Sequence, residues 1–156
     1  MSAPTRAERT VAIDADPEAV YDLVSDVTRM GEWSPECVRC EWLGDPGTVG
    51  ARFRGHNRRG PARWSTTAEV LAADRPLTFA FATMYKGRAS TRWTYTLHRT
   101  ATGTDLTEGF DAVYTPGWIA LAERLFMRNR QQQLEAGIDD TLAAIKVAAE
   151  ASREPR

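Results

Sequence analysis

The chain has 156 residues, with 20 lysines and arginines against 21 acids and a formal net charge of -1. That balance excludes the broad basic field on which nucleic-acid binding relies. The length suits one domain, residues 1–156 with order expected over about 7–152, and a core of its own. No apolar run approaches the roughly 20 residues of a membrane-spanning helix, and the polar start lacks the apolar middle of a signal peptide. A cytoplasmic location is the expectation.

Residues 10–14 alternate, with Val11 and Ile13 on one side, which predicts a first strand. Asp16-Pro17-Glu18 then marks a helix start: a capping aspartate, proline in the first turn and an acid near the positive end of the helix dipole. Val20, Leu23, Val24 and Val27 give that helix its buried side. Asp26 is placed to cap a second short helix, which Gly31 is expected to close. A loop carrying Trp33 follows.

Six further strands are predicted, at residues 37–43, 51–56, 62–72, 77–83, 90–98 and 105–113. The breaks between them are Gly44-Asp45-Pro46-Gly47, Arg58-Arg59-Gly60-Pro61, Asp74-Arg75-Pro76, Lys86-Gly87 and Thr102-Gly103. Short turns of this kind imply antiparallel pairing. Alternation then sorts two faces. One carries Cys40, Trp42, Phe53, Trp64, Phe79, Phe81, Trp93, Tyr95, Leu106, Glu108 and Phe110; the other carries Arg39, Glu41, Arg52, Arg54, Arg63, Glu69, Arg92 and His98. An aromatic face backed by a charged one is the pattern of a sheet solvated on one side.

Residues 116–151 read as one long C-terminal helix. Leu134, Ile138, Leu142, Ile145 and Ala149 form an apolar stripe at three- and four-residue steps. An earlier stripe, Trp118, Leu121, Ala122 and Leu125, faces elsewhere, and the polar run 128–133 separates the two. Either the helix bends or breaks there, or its first turns roof a cavity. The whole is an α+β layout: a curved seven-stranded antiparallel sheet wrapped around a long C-terminal helix, with two short helices after strand one.

This layout and several strings resemble the START-like, or SRPBCC, superfamily, and within it the polyketide cyclase/dehydrase-like group of bacterial proteins. The strings are Ile13-Asp14-Ala15-Asp16-Pro17-Glu18-Ala19-Val20-Tyr21, the stretch from Asp26-Val27 to Trp33-Ser34-Pro35, Gly50-Ala51-Arg52-Phe53-Arg54-Gly55, and Leu142-Ala143-Ala144-Ile145-Lys146. The resemblance implies a helix-grip fold with a cavity between sheet and helix that takes lipids, sterols, polyketides or similar ligands. It supplies no catalytic signature.

A cavity and a core would share the aromatic face, so Trp42, Phe53, Trp64, Phe79, Phe81, Trp93, Tyr95 and Phe110 are candidates for either. Trp33 and Trp118 fall where a mouth would lie, and Leu121 and Leu125 on its roof. Glu108 is the one acid on the apolar face. Unpartnered and buried it would act as an acid or base; paired with an arginine or near the open end it would be structural. Tyr95 and Thr91 offer hydroxyls to a ligand carbonyl or to the backbone. The hairpin around Arg58-Arg59 is locally basic, suited to an anionic head group or to solvent.

Cys37 and Cys40 have C-x-x-C spacing, but residues three apart on a regular strand point to opposite faces, and only His56 and His98 are at hand as further soft ligands. Neither a metal nor a redox role is expected, and no cofactor. The leading reading is a protein that binds a hydrophobic, lipid- or polyketide-like small molecule, as a monomer or homodimer. The alternative is a cyclase/dehydratase-type enzyme that positions a chain and uses Tyr95, Glu108 or an arginine at the mouth for acid-base help. A third is a domain that meets a partner protein through the basic hairpin and the helix mouth.

Overall fold

A computed structural model describes residues 6–126 and 129–152. In chain order the elements are β1 (Arg6–Ile13), α1 (Pro17–Ser25), a 3-10 helix (Val27–Glu32), β2 (Cys37–Trp42), β3 (Arg52–Arg59), β4 (Ala62–Asp74), β5 (Thr78–Tyr85), β6 (Arg88–Arg99), β7 (Thr104–Ala112), α2 (Gly117–Phe126) and α3 (Arg130–Ala151). The seven strands form one sheet in the order β1-β7-β6-β5-β4-β3-β2, and every neighbouring pair is antiparallel. With α3 held against it, this is the helix-grip fold expected from the sequence.

Local chemistry sets most boundaries. Pro17 opens α1, where a missing N–H is harmless. Asp16 has the extended backbone of a cap, yet its side chain makes no capping hydrogen bond. Asp26 does cap the 3-10 helix, accepting from the Thr28 amide at 3.1 Å. Gly31 lies inside that helix and does not terminate it. Its role is close approach: a Cβ there would sit 2.3 Å from the Val38 carbonyl oxygen. The β5–β6 turn has Lys86 and Gly87 both at positive φ, 51° and 76°, which matches the right-handed strand twist of a two-residue hairpin.

Strand alternation sorts the faces as the sequence indicates. Phe53, Phe79, Phe81, Tyr95, Leu106 and Phe110 are buried on the concave side. Their rings meet edge-on across strands, with Trp42 5.5 Å from Phe53 and Phe53 5.1 Å from Phe81 between centroids. Such pairs add stabilisation beyond the area they bury. Bulges within β2, β4 and β6 bend the strands and help curve the sheet.

The single long C-terminal helix expected from the sequence is two helices. The chain breaks at Asn129, whose φ is 65°, a left-handed conformation that an α-helix cannot contain. The remaining α3 has 22 residues, just over six turns. It buries Ile138, Leu142, Ile145 and Ala149, with Leu134 partly buried at the head of the stripe. Its backbone runs along β1, with lesser approach to α1 and β7. Polar contacts tie that edge: Arg9 reaches Glu135 at 3.4 Å and Asp139 at 3.6 Å, and the Lys146 ammonium donates to the Ala12 carbonyl at 2.8 Å. The earlier stripe does not join the core. Trp118, Leu121 and Leu125 are 64%, 54% and 58% exposed.

Candidate functional site: a buried acid on an aromatic face

The alternation of β7 places Glu108 inward between Leu106 and Phe110. Its register partners on the same face are Arg9 of β1 and Tyr95 of β6. Arg9 is the obvious counter-ion, but it turns to the α3 acids. Glu108 is therefore left facing Tyr95 as its polar neighbour across the register. The residue is 4% exposed, and its Oε1 has no partner among the described residues.

Burial disfavours the charged form, and it raises the Glu108 carboxyl to about 8, against a smaller opposing effect of the nearby Tyr95 hydroxyl. Tyr95 is pushed well above the usual phenol range, first by burial and then by the neighbouring carboxyl. At neutral pH the pair is mostly a carboxylic acid beside a phenol. Both are hydrogen-bond donors in an apolar setting, and the acid has one oxygen to spare. Of the two sequence alternatives for Glu108, burial without an arginine partner is the one found among the described residues.

The other candidate residues lie in several different settings. Phe53, Phe79, Phe81, Tyr95 and Phe110 are core. Trp42, Trp64 and Trp93 lie on the concave side but are only partly buried. Trp93 packs against Phe110, with 5.4 Å between ring centroids. Trp33 is buried under the Arg29 guanidinium, so it is no open mouth residue. Trp118 reaches the β5 end of the sheet, where its indole N–H donates to the Tyr85 hydroxyl at 3.0 Å. Thr91 is engaged with Thr83 through its backbone.

Sequence reasoning missed a charge cluster at the opposite edge. Glu36, just before β2, takes Arg130 of α3 at 2.7 and 3.1 Å and Arg59 of β3 at 3.0 Å. Burial works to raise the Glu36 carboxyl, but hydrogen bonds and charge from Arg130 and Arg59 outweigh it and hold the group below its ordinary range. The cluster pins the start of α3 to the β2–β3 edge. No local signal could reveal it, since Arg130 lies 94 residues from its partner.

Arg59 is thus already committed, as is Arg52, which pairs with Glu69 at 3.2 Å. Arg58 and Arg63 remain opposite each other on the basic hairpin. They line a recess of about 340 Å³ with Val38, His56, Asn57, Trp64 and Ser65. Among the described residues no cluster of three or more His, Cys, Asp or Glu is arranged to hold a metal, and no helix is long and apolar enough to cross a membrane.

The cysteine expectation is overturned in its geometry. A bulge between Cys37 and Arg39 inserts Val38 as an extra residue, so Cys37 and Cys40 turn to the same side. Both are buried, with their sulfurs 3.2 Å apart.

The sheet, its grip on α3 and the inward acid define a helix-grip protein. Residues 4–150 match the family described as polyketide cyclase / dehydrase and lipid transport, and the chain belongs to that family. No curated protein matches the chain. Among solved structures it is similar to the polyketide-cyclase-like protein Cgl2372 from Corynebacterium glutamicum, with 32% identity, a TM-score of 0.69, and coverage of 99% of this chain and 96% of that one. It shares its fold with CV1439 from Chromobacterium violaceum at 17% identity and TM-score 0.72, covering 94% of this chain and 99% of that one. It also shares its fold with half of StfQ, a di-domain aromatase/cyclase (ARO/CYC) of the steffimycin biosynthetic pathway. That match has 14% identity and TM-score 0.73, covering 95% of this chain and 51% of that one.

Proposed function

We propose that the protein binds a hydrophobic small molecule, lipid- or polyketide-like, against the concave face of the sheet beside α3. The observation that carries this reading is that Trp42, Trp64 and Trp93 stay only partly buried on an aromatic face whose phenylalanines are buried. Flat aromatic walls bury much ligand area and set its orientation. The family assignment and the aromatase/cyclase neighbour support the same ligand class.

A second reading, a cyclase or dehydratase, is favoured by Glu108 and Tyr95. A neutral carboxylic acid with a spare oxygen beside a phenol would hydrogen-bond a ligand carbonyl and lend a proton to an enolising oxygen. The carrier and enzyme readings share the site and differ only in whether that pair does chemistry.

The test is titration with the apolar fluorophore N-phenyl-1-naphthylamine. Saturable binding with a change in tryptophan emission is expected, weakened by Trp93→Ala while the circular dichroism stays native. An absence of binding to folded protein would remove both readings and favour a domain that meets a partner protein.

A further inference from the structure

The two cysteines lie on the edge strand β2, beside the 3-10 helix. In a regular strand their side chains would diverge; the bulge at Val38 brings them together. Gly31 accommodates that bulge, since the Val38 carbonyl occupies the space a Cβ would need. Their sulfurs are 3.2 Å apart, and a third sulfur, the Met30 Sδ, lies 3.8 Å from Cys40. Both residues are free thiols, 6% and 5% exposed, while Val38 between them is open to solvent.

We propose that Cys37 and Cys40 are a redox pair, oxidised by a hydroperoxide to an intramolecular disulfide and reset by a small thiol. The geometry requires the sulfurs to close by only about 1.2 Å to reach a disulfide bond. Cys37 is the attacking sulfur, because Cys40 donates its proton to the Met30 Sδ at 3.8 Å while Cys37 has the Cys40 sulfur beside it at 3.2 Å, a contact that favours its thiolate. Cys40 holds its proton, since the close contact with Cys37 and burial both raise it.

The Cys37 thiolate attacks one peroxide oxygen. The O–O bond breaks, an S–O bond forms, and the departing hydroxide takes up the proton that Cys37 released. The Cys40 sulfur then attacks the Cys37 sulfur, forming S–S and breaking S–O. The hydroxide set free takes the Cys40 proton and leaves as water. Two thiols lose two electrons and one hydroperoxide gains them, so with hydrogen peroxide the other product is two waters. This inference stands apart from the ligand-binding reading, because it rests on the β2 edge and needs no bound ligand.

The test uses the reduced full chain and hydrogen peroxide, quenched with catalase, then alkylated with iodoacetamide in denaturant and weighed intact. The expected product is monomeric, two hydrogens lighter and closed to alkylation, and dithiothreitol restores two alkylatable thiols. Two free thiols after peroxide, a disulfide-linked dimer, or oxidation to sulfinic acid without a bridge would overturn the proposal. Cys40→Ser should stop at a dimedone-reactive sulfenic acid on Cys37. Cys37→Ser should react slower by at least on the order of tenfold, and equal rates would overturn the assignment of the attacking sulfur. Should the variants not fold, brief peroxide with dimedone on the wild type, followed by peptide mass mapping, decides the same point by which cysteine is tagged.

Discussion

Tyr95 and Glu108 stand opposite each other across the β6–β7 register, both buried, an acid facing a phenol. A carboxyl so placed is easier to protonate in the folded chain than in the unfolded one. Between its ordinary value of 4.5 and about 8, the folded state therefore binds the extra proton. Stability from this group is fully present below the unfolded value and is lost as pH rises through that window, by up to about 1.4 kcal/mol per pH unit. Glu108→Gln, neutral and nearly isosteric, should flatten the decline. Urea melts at intervals from pH 4.5 to 8.5 check it; parallel slopes for wild type and variant would mean that Glu108 is ionised in the folded protein.

The α3 stripe makes a sharper contrast between neighbours. Ile138 is buried, whereas Asp139 is exposed and meets Arg9 at 3.6 Å. Ile138→Ala should cost about 2–5 kcal/mol through lost transfer energy and the cavity left behind. Asp139→Ala should cost under about 1 kcal/mol, the range of an exposed ion pair. Chemical denaturation of the two variants separates these outcomes, and similar losses would put the helix phase in error.

These elements were legible because their signals are local. Ile138, Leu142 and Ile145 repeat at helical steps, and Phe79, Phe81, Trp93 and Tyr95 alternate at strand steps, so each face follows from spacing alone. The break at Asn129 was legible only as a change of stripe, since a single left-handed residue leaves no periodic trace. Cys37 and Cys40 were misplaced because one inserted residue reverses every side chain beyond it. Glu108 was seen as the odd acid on its face. That Arg9 abandons it for Glu135 and Asp139 depends on where α3 lies, which no strand pattern encodes.

The bulge makes its own prediction. Gly31→Ala would press a methyl group against the Val38 backbone, which has no flexible end to move aside. A cost of about 1–3 kcal/mol is expected from such overpacking. The same strain should displace Val38 and separate the two thiols. Thermal melts, together with alkylation rates of Cys37 and Cys40 in the folded variant, test both effects. An unchanged melting temperature would mean that the 3-10 helix shifts freely on β2.

Glu36 gives the acid-side counterpart of Glu108. Two arginines, Arg130 and Arg59, converge on its carboxylate, and both they and it are largely buried at the side chain. Its carboxyl is held below its ordinary value of 4.5, so the stability it provides is present above that value and is lost as pH falls through the lowered folded-state value. Removing the acid leaves two guanidinium groups facing each other without their counter-ion, which costs more than the pair itself is worth. Glu36→Ala should therefore destabilise by about 2–4 kcal/mol, a little below the range for fully buried pairs because Arg59 keeps some solvent contact. Arg130→Met should cost less, because Arg59 remains to neutralise the carboxylate. The double variant Glu36→Ala, Arg130→Met should recover part of the loss, since one stranded charge goes with its partner. Urea unfolding of the three variants at pH 7 completes the cycle. Strict additivity would mean that Glu36 and Arg130 do not act together in holding α3 to the β2–β3 edge.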